Sequence, residues 1–166
     1  MQPLPHSEWL GVVQRAPLVS IDLIVSNKQG EVLLGWRNNK PAQHTWFVPG
    51  GVVRKGETLQ QAFERTVRDE LGLVLEHNTL PREPLFCGVY QHFYTDNFVG
   101  QPGFGTHYVV LAHRVGVAQL GLNDLPLHDL PKAQHKQYTW MRPQEALTHA
   151  DVHANTKAYF VTRSEQ

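Results

Sequence analysis

The chain lacks three features, and each absence excludes a class of protein. Its one cysteine, Cys87, rules out an internal disulfide and suits a reducing compartment. Its charge is balanced, with Lys+Arg 15 and Asp+Glu 15, so it has no positive field typical of proteins that bind nucleic acid or anionic membranes. No stretch approaches the roughly 18 apolar residues of a membrane-spanning helix. We therefore expect neither nucleic acid nor membrane as a partner.

The N-terminal sequence, MQPLPHSEWLGVV, has no basic segment followed by an apolar core, as a secretory signal has. This predicts a soluble, unprocessed, cytoplasmic protein. The 166 residues suit a single domain, 1–166, that buries its own core.

The order of patterns along the chain predicts an α/β fold with a mixed sheet. Branched and aromatic runs predict strands at 18–25, 31–36, 45–48, 85–95, 105–117 and 137–141. The first two read as a hairpin, and 85–95 should pair antiparallel with 105–117. Helices are predicted near 8–14, after residue 57, and at 143–148 and 154–162, with loops at 96–103 and 121–134. Strands on both sides of a central helix describe a sandwich.

The central helix has the strongest local signals. Thr58 and Gln61 have the spacing of a capping box, so the helix should begin after Glu57, while Gly72 should end it. A glycine turn at residues 50 and 51 leads into it. Apolar residues at threes and fours predict one buried stripe, consisting of Leu59, Ala62, Phe63, Val67 and Leu71.

Two acidic residues lie off that stripe near the end of the helix. Asp69 and Glu70 oppose the helix dipole there, which is unfavourable unless a cation compensates. A metal site is one interpretation. The alternative is a solvated acidic face on which Arg65 pairs with Asp69 four residues on.

The segment GGVVRKGETLQQAFERTVRDELGL, residues 50–73, resembles the Nudix box, which it contains at residues 51–73. The matching positions are Gly51, Glu57, Arg65, Val67, Glu70, Gly72 and Leu73. Thr66 and Asp69 depart from the box, since both positions are usually glutamate. The resemblance implies a Nudix-type α/β/α sandwich with a mixed β-sheet.

Segments outside the box resemble the branch of this superfamily that hydrolyses GDP-sugars. They are PLVSIDLIV (17–25), LLGWRNNKPAQHTWFVPGG (33–51), GVYQHFYTDNF (88–98), THYVVL (106–111), the 133–140 segment and DVHANTKAYF (151–160). The resemblance implies hydrolysis of GDP-mannose, with GDP-glucose a further candidate, to GDP and free sugar. Water would attack the anomeric carbon and invert it. A homodimer and a setting in bacterial surface polysaccharide metabolism are implied by resemblance alone.

The resemblance also implies one Mg²⁺ ion, with Mn²⁺ as a substitute. Its ligands would be the Glu70 carboxylate, the Gly50 carbonyl and the Gln134 amide oxygen, which are the hard oxygen donors that Mg²⁺ prefers. Thr66 cannot act as a carboxylate ligand, and Asp69 is one methylene shorter than glutamate. Such sparse carboxylates favour neutralising the leaving group over generating hydroxide.

Three residues are the candidate catalytic groups. His135 is the expected general base, because imidazole titrates near neutral pH. A diphosphate leaves as a stable anion, so one base should be enough, whereas an inverting glycosidase needs two carboxyls. Arg37 should grip the diphosphate, and Arg65, with Glu57, should orient the box. The alternatives are that Gln134 and His135 lie in an exposed loop and that Arg37 faces solvent.

The remaining matches concern the substrate. By resemblance, the residues that line its pocket or touch the nucleotide are Leu4, Trp9, Asp22, Arg37, His92, Tyr94 and Tyr108. Trp9 would stack on guanine or pack at a dimer contact. Val52 stands where the branch has an arginine. Arg54, two residues further on, is a candidate to take over the role of that arginine.

Two other functions compete with this interpretation. One is a conventional Nudix pyrophosphohydrolase that attacks phosphorus in a nucleotide sugar or nucleoside triphosphate. The other is a non-catalytic nucleotide-binding module, which the substitutions at Val52, Thr66 and Asp69 favour.

Overall fold

The structure is a computed structural model that describes residues 5–75 and 84–161. Four α-helices and seven strands occur within these residues. In chain order they are α1 His6–Arg15, β1 Leu18–Ser26, β2 Val32–Arg37, β3 Trp46–Phe47, β4 Gly50–Val52, α2 Leu59–Leu71, β5 Leu85–Tyr94, β6 Thr106–Gly116, β7 His135–Met141, α3 Pro143–Thr148 and α4 Ala154–Lys157. No helix of the described segments is long and apolar enough to cross a membrane.

The strands form one mixed sheet in the order β3-β2-β1-β6-β5, with β4 added to β1 and β7 added to β2. β1 and β6 run parallel, and the other pairs are antiparallel, including the predicted pair β5 and β6. The predicted hairpin of β1 and β2 is only partly correct. These strands meet at Ser26 and Val32, and β2 then pairs along most of its length with β7.

Helices cover both faces of this sheet. On one face, α2 packs Ala62, Val67 and Leu71 into a core with strand residues such as Ile21 and Leu23. On the other face, the C-terminal part of the chain contributes a second core of Ala146, Val152 and Tyr159 against Ile24, Leu34 and Phe47. The predicted α/β/α sandwich is confirmed.

The central helix α2 begins and ends where the sequence predicts. Thr58 and Gln61 form both hydrogen bonds of the capping box, and Gly72 caps the C-terminus through its N–H to Arg68. The predicted buried stripe is wrong at Leu59, which is 53% exposed. Leu59 is the first helical residue, and the buried stripe starts at Ala62, three residues later.

Two further predictions need correction. Residues 50–52 form strand β4, paired antiparallel with β1, where the sequence predicts only a turn. The strand was not predicted because two of its three residues are glycines, which have a low propensity for strands. The predicted helix at 154–162 ends at Lys157, and residue 162 lies outside the described residues.

Candidate active site

An irregularity between β2 and β7 brings three predicted site residues together. The register of this pair shifts between Gly35 and Arg37, so Arg37 pairs with His135. The next backbone bond runs from the Asn38 N–H to the Gln134 carbonyl, at 2.8 Å. Gly35 is needed here, because a Cβ at that position would lie 2.4 Å from Cδ2 of His135. A missing side chain in β2 thus makes room for the imidazole of β7.

Glu70 lies at the inner side of this junction and is only 4% exposed. Its Oε1 accepts a hydrogen bond of 2.5 Å from Nε2 of Gln134, and its Oε2 is 3.5 Å from Nδ1 of His135. The interpretation of a solvated acidic face is therefore wrong for Glu70. A buried carboxylate is strongly unfavourable unless cations or donors compensate it.

Arg65 holds the start of the box to the helix. Its Nε is 2.6 Å from Oε1 of Glu57, and Nη2 donates to Oε2 of Glu57 at 3.0 Å and to the Val52 carbonyl at 2.7 Å. Hydrogen bonding from Arg65 lowers the pKa of Glu57. The predicted contact of Arg65 with Asp69 is present at 3.5 Å, as a weaker addition. These contacts position the 52–57 loop and support the orienting role of Arg65 and Glu57.

His135 is fully buried at the start of β7, so the alternative of an exposed loop is wrong for this residue. Its Nδ1 faces Glu70 and lies 3.4 Å from the hydroxyl of Tyr138, which itself donates to the Pro131 carbonyl. Its Nε2 has no hydrogen-bond partner among the described residues. The imidazole therefore keeps one nitrogen that is not used by the structure.

A cavity of about 130 Å³ opens beside these residues. Five predicted substrate-binding residues line it together with two predicted metal ligands: Asp22, Arg37, His92, Tyr94, Tyr108, Gly50 and Gln134. Sequence reasoning gave no site role to four other lining residues, which are Ser20, Pro41, Phe47 and Val48, whereas the remaining two, Gly51 and Val52, were noted in and beside the box. The four lie in or between predicted strands, where no ligand or catalytic pattern marks them.

Two of the predicted residues, Trp9 and Arg54, lie away from the cavity. Trp9 is on α1, with its ring 6.4 Å from that of Phe98, and does not line the cavity. Arg54, the candidate to take over the role of the arginine that the branch has at position 52, is exposed, lies 3.8 Å from Asp69 and does not line the cavity. Leu4 lies outside the described residues.

Burial sets the charge state of the cavity wall. Desolvation raises the pKa of Asp22 to about 7, although a hydrogen bond from Tyr159 and the charge of Arg37 act against it. Burial lowers the pKa of His92 to about 4, so this ring is neutral at pH 7. Burial also raises the pKa of Tyr94 and Tyr108, which keeps both phenols protonated.

Arg37 stands at the cavity wall in a defined position. Its Nε donates to the Pro41 carbonyl at 3.1 Å, and its guanidinium carbon lies 5.8 Å from the centre of the Phe47 ring. The alternative of a strand arginine that faces solvent is not what the structure shows, because Arg37 is partly buried and lines the cavity.

Tyr159 is a further polar residue that sequence reasoning missed. Its hydroxyl donates to Oδ2 of Asp22 at 2.6 Å and lies 3.2 Å from Nε2 of His92. The signal for it was its place in the DVHANTKAYF segment, to which no role was given.

The donors at this junction fit a hard divalent cation. Glu70 supplies a buried carboxylate in contact with Gln134, and Gln134 and Gly50 line the same cavity. Carboxylate, amide and carbonyl oxygens are the donors that Mg²⁺ prefers. Within 5–75 and 84–161, no group of three His, Cys, Asp or Glu side chains could hold a metal ion. A site here would therefore depend on neutral oxygen donors beside Glu70.

Comparison with known proteins identifies the class. The NUDIX domain profile matches residues 16–163, so the chain belongs to the Nudix family of hydrolases. It is 36% identical over 141 residues to the low-salt glycan biosynthesis protein Agl8 of Haloferax volcanii, covering 84% of this chain and 85% of that protein. A shorter match, 35% over 74 residues, is to an ADP-ribose pyrophosphatase of Methanocaldococcus jannaschii and covers 45% of this chain and 40% of that protein.

Solved structures agree on the fold. A MutT NUDIX hydrolase from Burkholderia pseudomallei has a TM-score of 0.66 at 20% identity over 88% of this chain and 97% of that one. The NUDIX domain of Shewanella oneidensis NrtR, solved with ADP ribose, has a TM-score of 0.55 at 15% identity over 94% and 95% of the two chains.

Proposed function

We propose that this Nudix hydrolase is a Mg²⁺-dependent GDP-mannose mannosyl hydrolase, with GDP-glucose as a second candidate substrate. The observation that carries the proposal is one cavity wall on which Arg37 and Asp22 stand beside Gly50 and Gln134. This arrangement supports the proposed roles of Arg37 as the cation that would bind the diphosphate and of Asp22 as the carboxyl that would bind a sugar hydroxyl, beside a candidate metal site. The relation to a glycan biosynthesis protein supports a nucleotide sugar as substrate.

The leaving group is the first chemical problem. Breaking the bond between the sugar carbon and oxygen releases GDP, whose new charge must be neutralised. Arg37 can present two donors to the diphosphate oxygens and stays charged at any working pH. Glu70, Gln134 and Gly50 would hold the ion, and bound Mg²⁺ would add positive charge at the same phosphates. With the leaving group stabilised in this way, no acid is needed to protonate it.

The water is the second problem, and His135 is its proposed base. The free Nε2 of His135 suits the role, since it has no partner among the described residues. The ring lies behind the cavity wall, whereas its neighbour Gln134 lines the cavity. The proposal therefore includes a movement of residues 133–135 that brings the imidazole to the sugar when substrate binds. Catalytic hydrogen bonds often tighten only in such complexes.

The proposal extends to the protein as a whole. It comprises a single domain, a homodimer and a cytoplasmic location, each of which follows from the resemblance or composition described above. Trp9, on the outer helix α1, is proposed to contact the guanine or a second copy of the chain.

Isotope tracing tests the proposal directly. The protein is incubated with GDP-mannose and Mg²⁺ in ¹⁸O-labelled water, and the products are analysed by mass spectrometry. Attack at carbon places the label in free mannose, which should appear as the inverted anomer by early NMR spectra. Label in a phosphate-containing product would overturn the proposal. A panel of GDP-sugars in the same assay ranks mannose against glucose and fucose.

The main competing function is a pyrophosphohydrolase that attacks phosphorus. It is favoured by the match to an ADP-ribose pyrophosphatase. In the isotope experiment, this function would place ¹⁸O in a phosphate-containing product. A non-catalytic module is favoured by Thr66, whose hydroxyl donates to the Ala62 carbonyl and provides no carboxylate. Tight GDP binding without turnover of any nucleotide substrate would support that module.

A further inference from the structure

We propose that Tyr159 is a positioning residue that orders Asp22 and His92 as a paired acceptor for the sugar hydroxyls. This inference rests on the proposed function, because it assigns a role on the sugar side of the same cavity. Tyr159 does not line the cavity and is 6% exposed, so it would act through the two residues that do.

Tyr159 joins residues from two strands. Asp22 belongs to β1 and His92 to β5, and β6 separates these strands in the sheet. The Tyr159 hydroxyl reaches both, at 2.6 Å from Oδ2 of Asp22 and 3.2 Å from Nε2 of His92. One hydroxyl thereby fixes the orientation of two polar side chains on the wall.

The number of protons determines the direction of these bonds. A tyrosine hydroxyl has one proton to donate and can also accept. When Tyr159 donates to the ionised Asp22 carboxylate, its oxygen can accept from His92, and the proposal assigns the proton of the neutral His92 ring to Nε2. The neutral ring of His92 then has an unprotonated Nδ1. The lowered pKa of His92 is consistent with this neutral state.

The second carboxyl oxygen of Asp22 occupies space that the absence of a side chain at Gly50 leaves open. Asp22 pairs with Gly50 across β1 and β4, and a Cβ at residue 50 would lie 2.4 Å from Oδ1 of Asp22. Gly50 thus leaves space for Oδ1 at the cavity wall. With Oδ2 bound to Tyr159, Oδ1 is the oxygen left to accept a hydrogen bond. Oδ1 of Asp22 and Nδ1 of His92 are two acceptors that suit hydroxyl donors of a hexose.

The surrounding rings hold Tyr159 in place. Its ring meets that of Tyr90 edge-on at 4.7 Å, and the His92 ring lies 5.9 Å from it. Removing the hydroxyl alone should therefore leave the ring where it is. Tyr159→Phe tests the hydrogen bonds with little change in packing.

The kinetic test compares substrate with a ligand that has no sugar. For Tyr159→Phe we expect kcat/KM for GDP-mannose to fall about tenfold, as for the loss of a hydrogen bond to a charged group. The inhibition constant of GDP should stay within about twofold of the wild-type value, because GDP does not reach these acceptors. Equal loss of GDP and GDP-mannose binding, or wild-type kinetics with both, would overturn the inference.

Tyr90→Phe is the matched control. It removes a hydroxyl from the ring that packs on Tyr159, and Tyr90 does not line the cavity. We expect kinetics close to wild type with both ligands. A defect as large as that of Tyr159→Phe would mean that the effect is general packing and would contradict a positioning role.

A readout independent of turnover separates this inference from the proposed function. Nitrogen-15 NMR of the imidazoles reports which nitrogen of His92 carries the proton. We expect the Nε2–H form in the wild-type protein and a shift toward a mixture in Tyr159→Phe. A wild-type protein that releases no mannose would overturn the proposed function, whereas an Nδ1–H form of His92, or no change in the variant, would overturn the role of Tyr159.

Discussion

Asp69 and Glu70 are adjacent carboxylates on one helix, and their surroundings are opposite. The Asp69 side chain is 37% exposed and has three arginines within 4 Å, namely Arg54 at 3.8 Å, Arg65 at 3.5 Å and Arg68 at 3.1 Å. The Glu70 side chain is 5% exposed. Its contacts in the described residues are an amide and an imidazole, with no arginine or lysine.

The difference shows which carboxylate needs a cation from outside the chain. The charge of Asp69 is already balanced by three arginines, and the two exposed ones, Arg54 and Arg68, form solvent-exposed pairs of the kind that contributes little to stability. Glu70 is buried beside neutral donors, so a bound cation would relieve an unfavourable charge. The same helix thus carries one structural and one functional carboxylate, and substitutions can test that division.

Removing the imidazole next to Glu70 should have the largest effect. For His135→Ala we expect turnover of GDP-mannose to fall about 10²- to 10⁴-fold, as for loss of a general base. The affinity for GDP, measured by calorimetry, should change little. Turnover close to wild type would remove His135 from the mechanism and leave it as a buried neighbour of Glu70.

Isosteric amides at the two carboxylates test the comparison itself. Glu70→Gln should lower turnover by at least about 100-fold and weaken Mg²⁺ activation, because loss of a ligand exceeds the usual 10- to 100-fold effect of a supporting residue. Asp69→Asn should stay within a few-fold of wild type. Turnover is measured against Mg²⁺ concentration for each variant. Equal effects of the two substitutions would refute the division.

The same helix shows how much the sequence can predict. Its start, its end and the Arg65 contact to Asp69 were predictable, because caps and helix spacing are local. The burial of Glu70 was not predictable, because it depends on contacts with Gln134 and His135, which are 64 or more residues away along the chain. Tyr159 was missed for the same reason, as its partner Asp22 is 137 residues away.

The strands show the same limit. Long branched runs predicted β5 and β6 well, whereas β4 went unseen because its residues are two glycines and a valine. The roles of Gly35 and Gly50 depend on side chains that occupy the space a Cβ would need. No pattern within either segment reveals those neighbours. The sequence could therefore predict several residues that line the cavity, but not how the chain forms it.

The arginines at Asp69 differ in burial, which predicts different effects on stability. The Arg65 side chain is 9% exposed and that of Arg68 is 54% exposed. Arg65→Ala should lower the free energy of unfolding by about 2 kcal/mol, because it removes charge-assisted hydrogen bonds to the partly buried Glu57 and to the Val52 carbonyl. Arg68→Ala should cost about 0.5 kcal/mol or less. Urea denaturation measures both, and similar losses would contradict the assigned structural role of Arg65.

The smallest expected effect is a pH dependence at Glu57. Arg65 lowers its folded-state pKa below the ordinary value of 4.5, so the stability it contributes is fully present above that pH and is lost as pH falls through the folded-state pKa. The difference in unfolding free energy between wild type and Glu57→Gln should thus be constant at neutral pH and shrink in acid. In an Arg65→Ala background the difference should lose this pH dependence, because the group that lowers the pKa is gone. A difference that persists unchanged in acid would show that Glu57 stabilises the loop by packing and not by its charge.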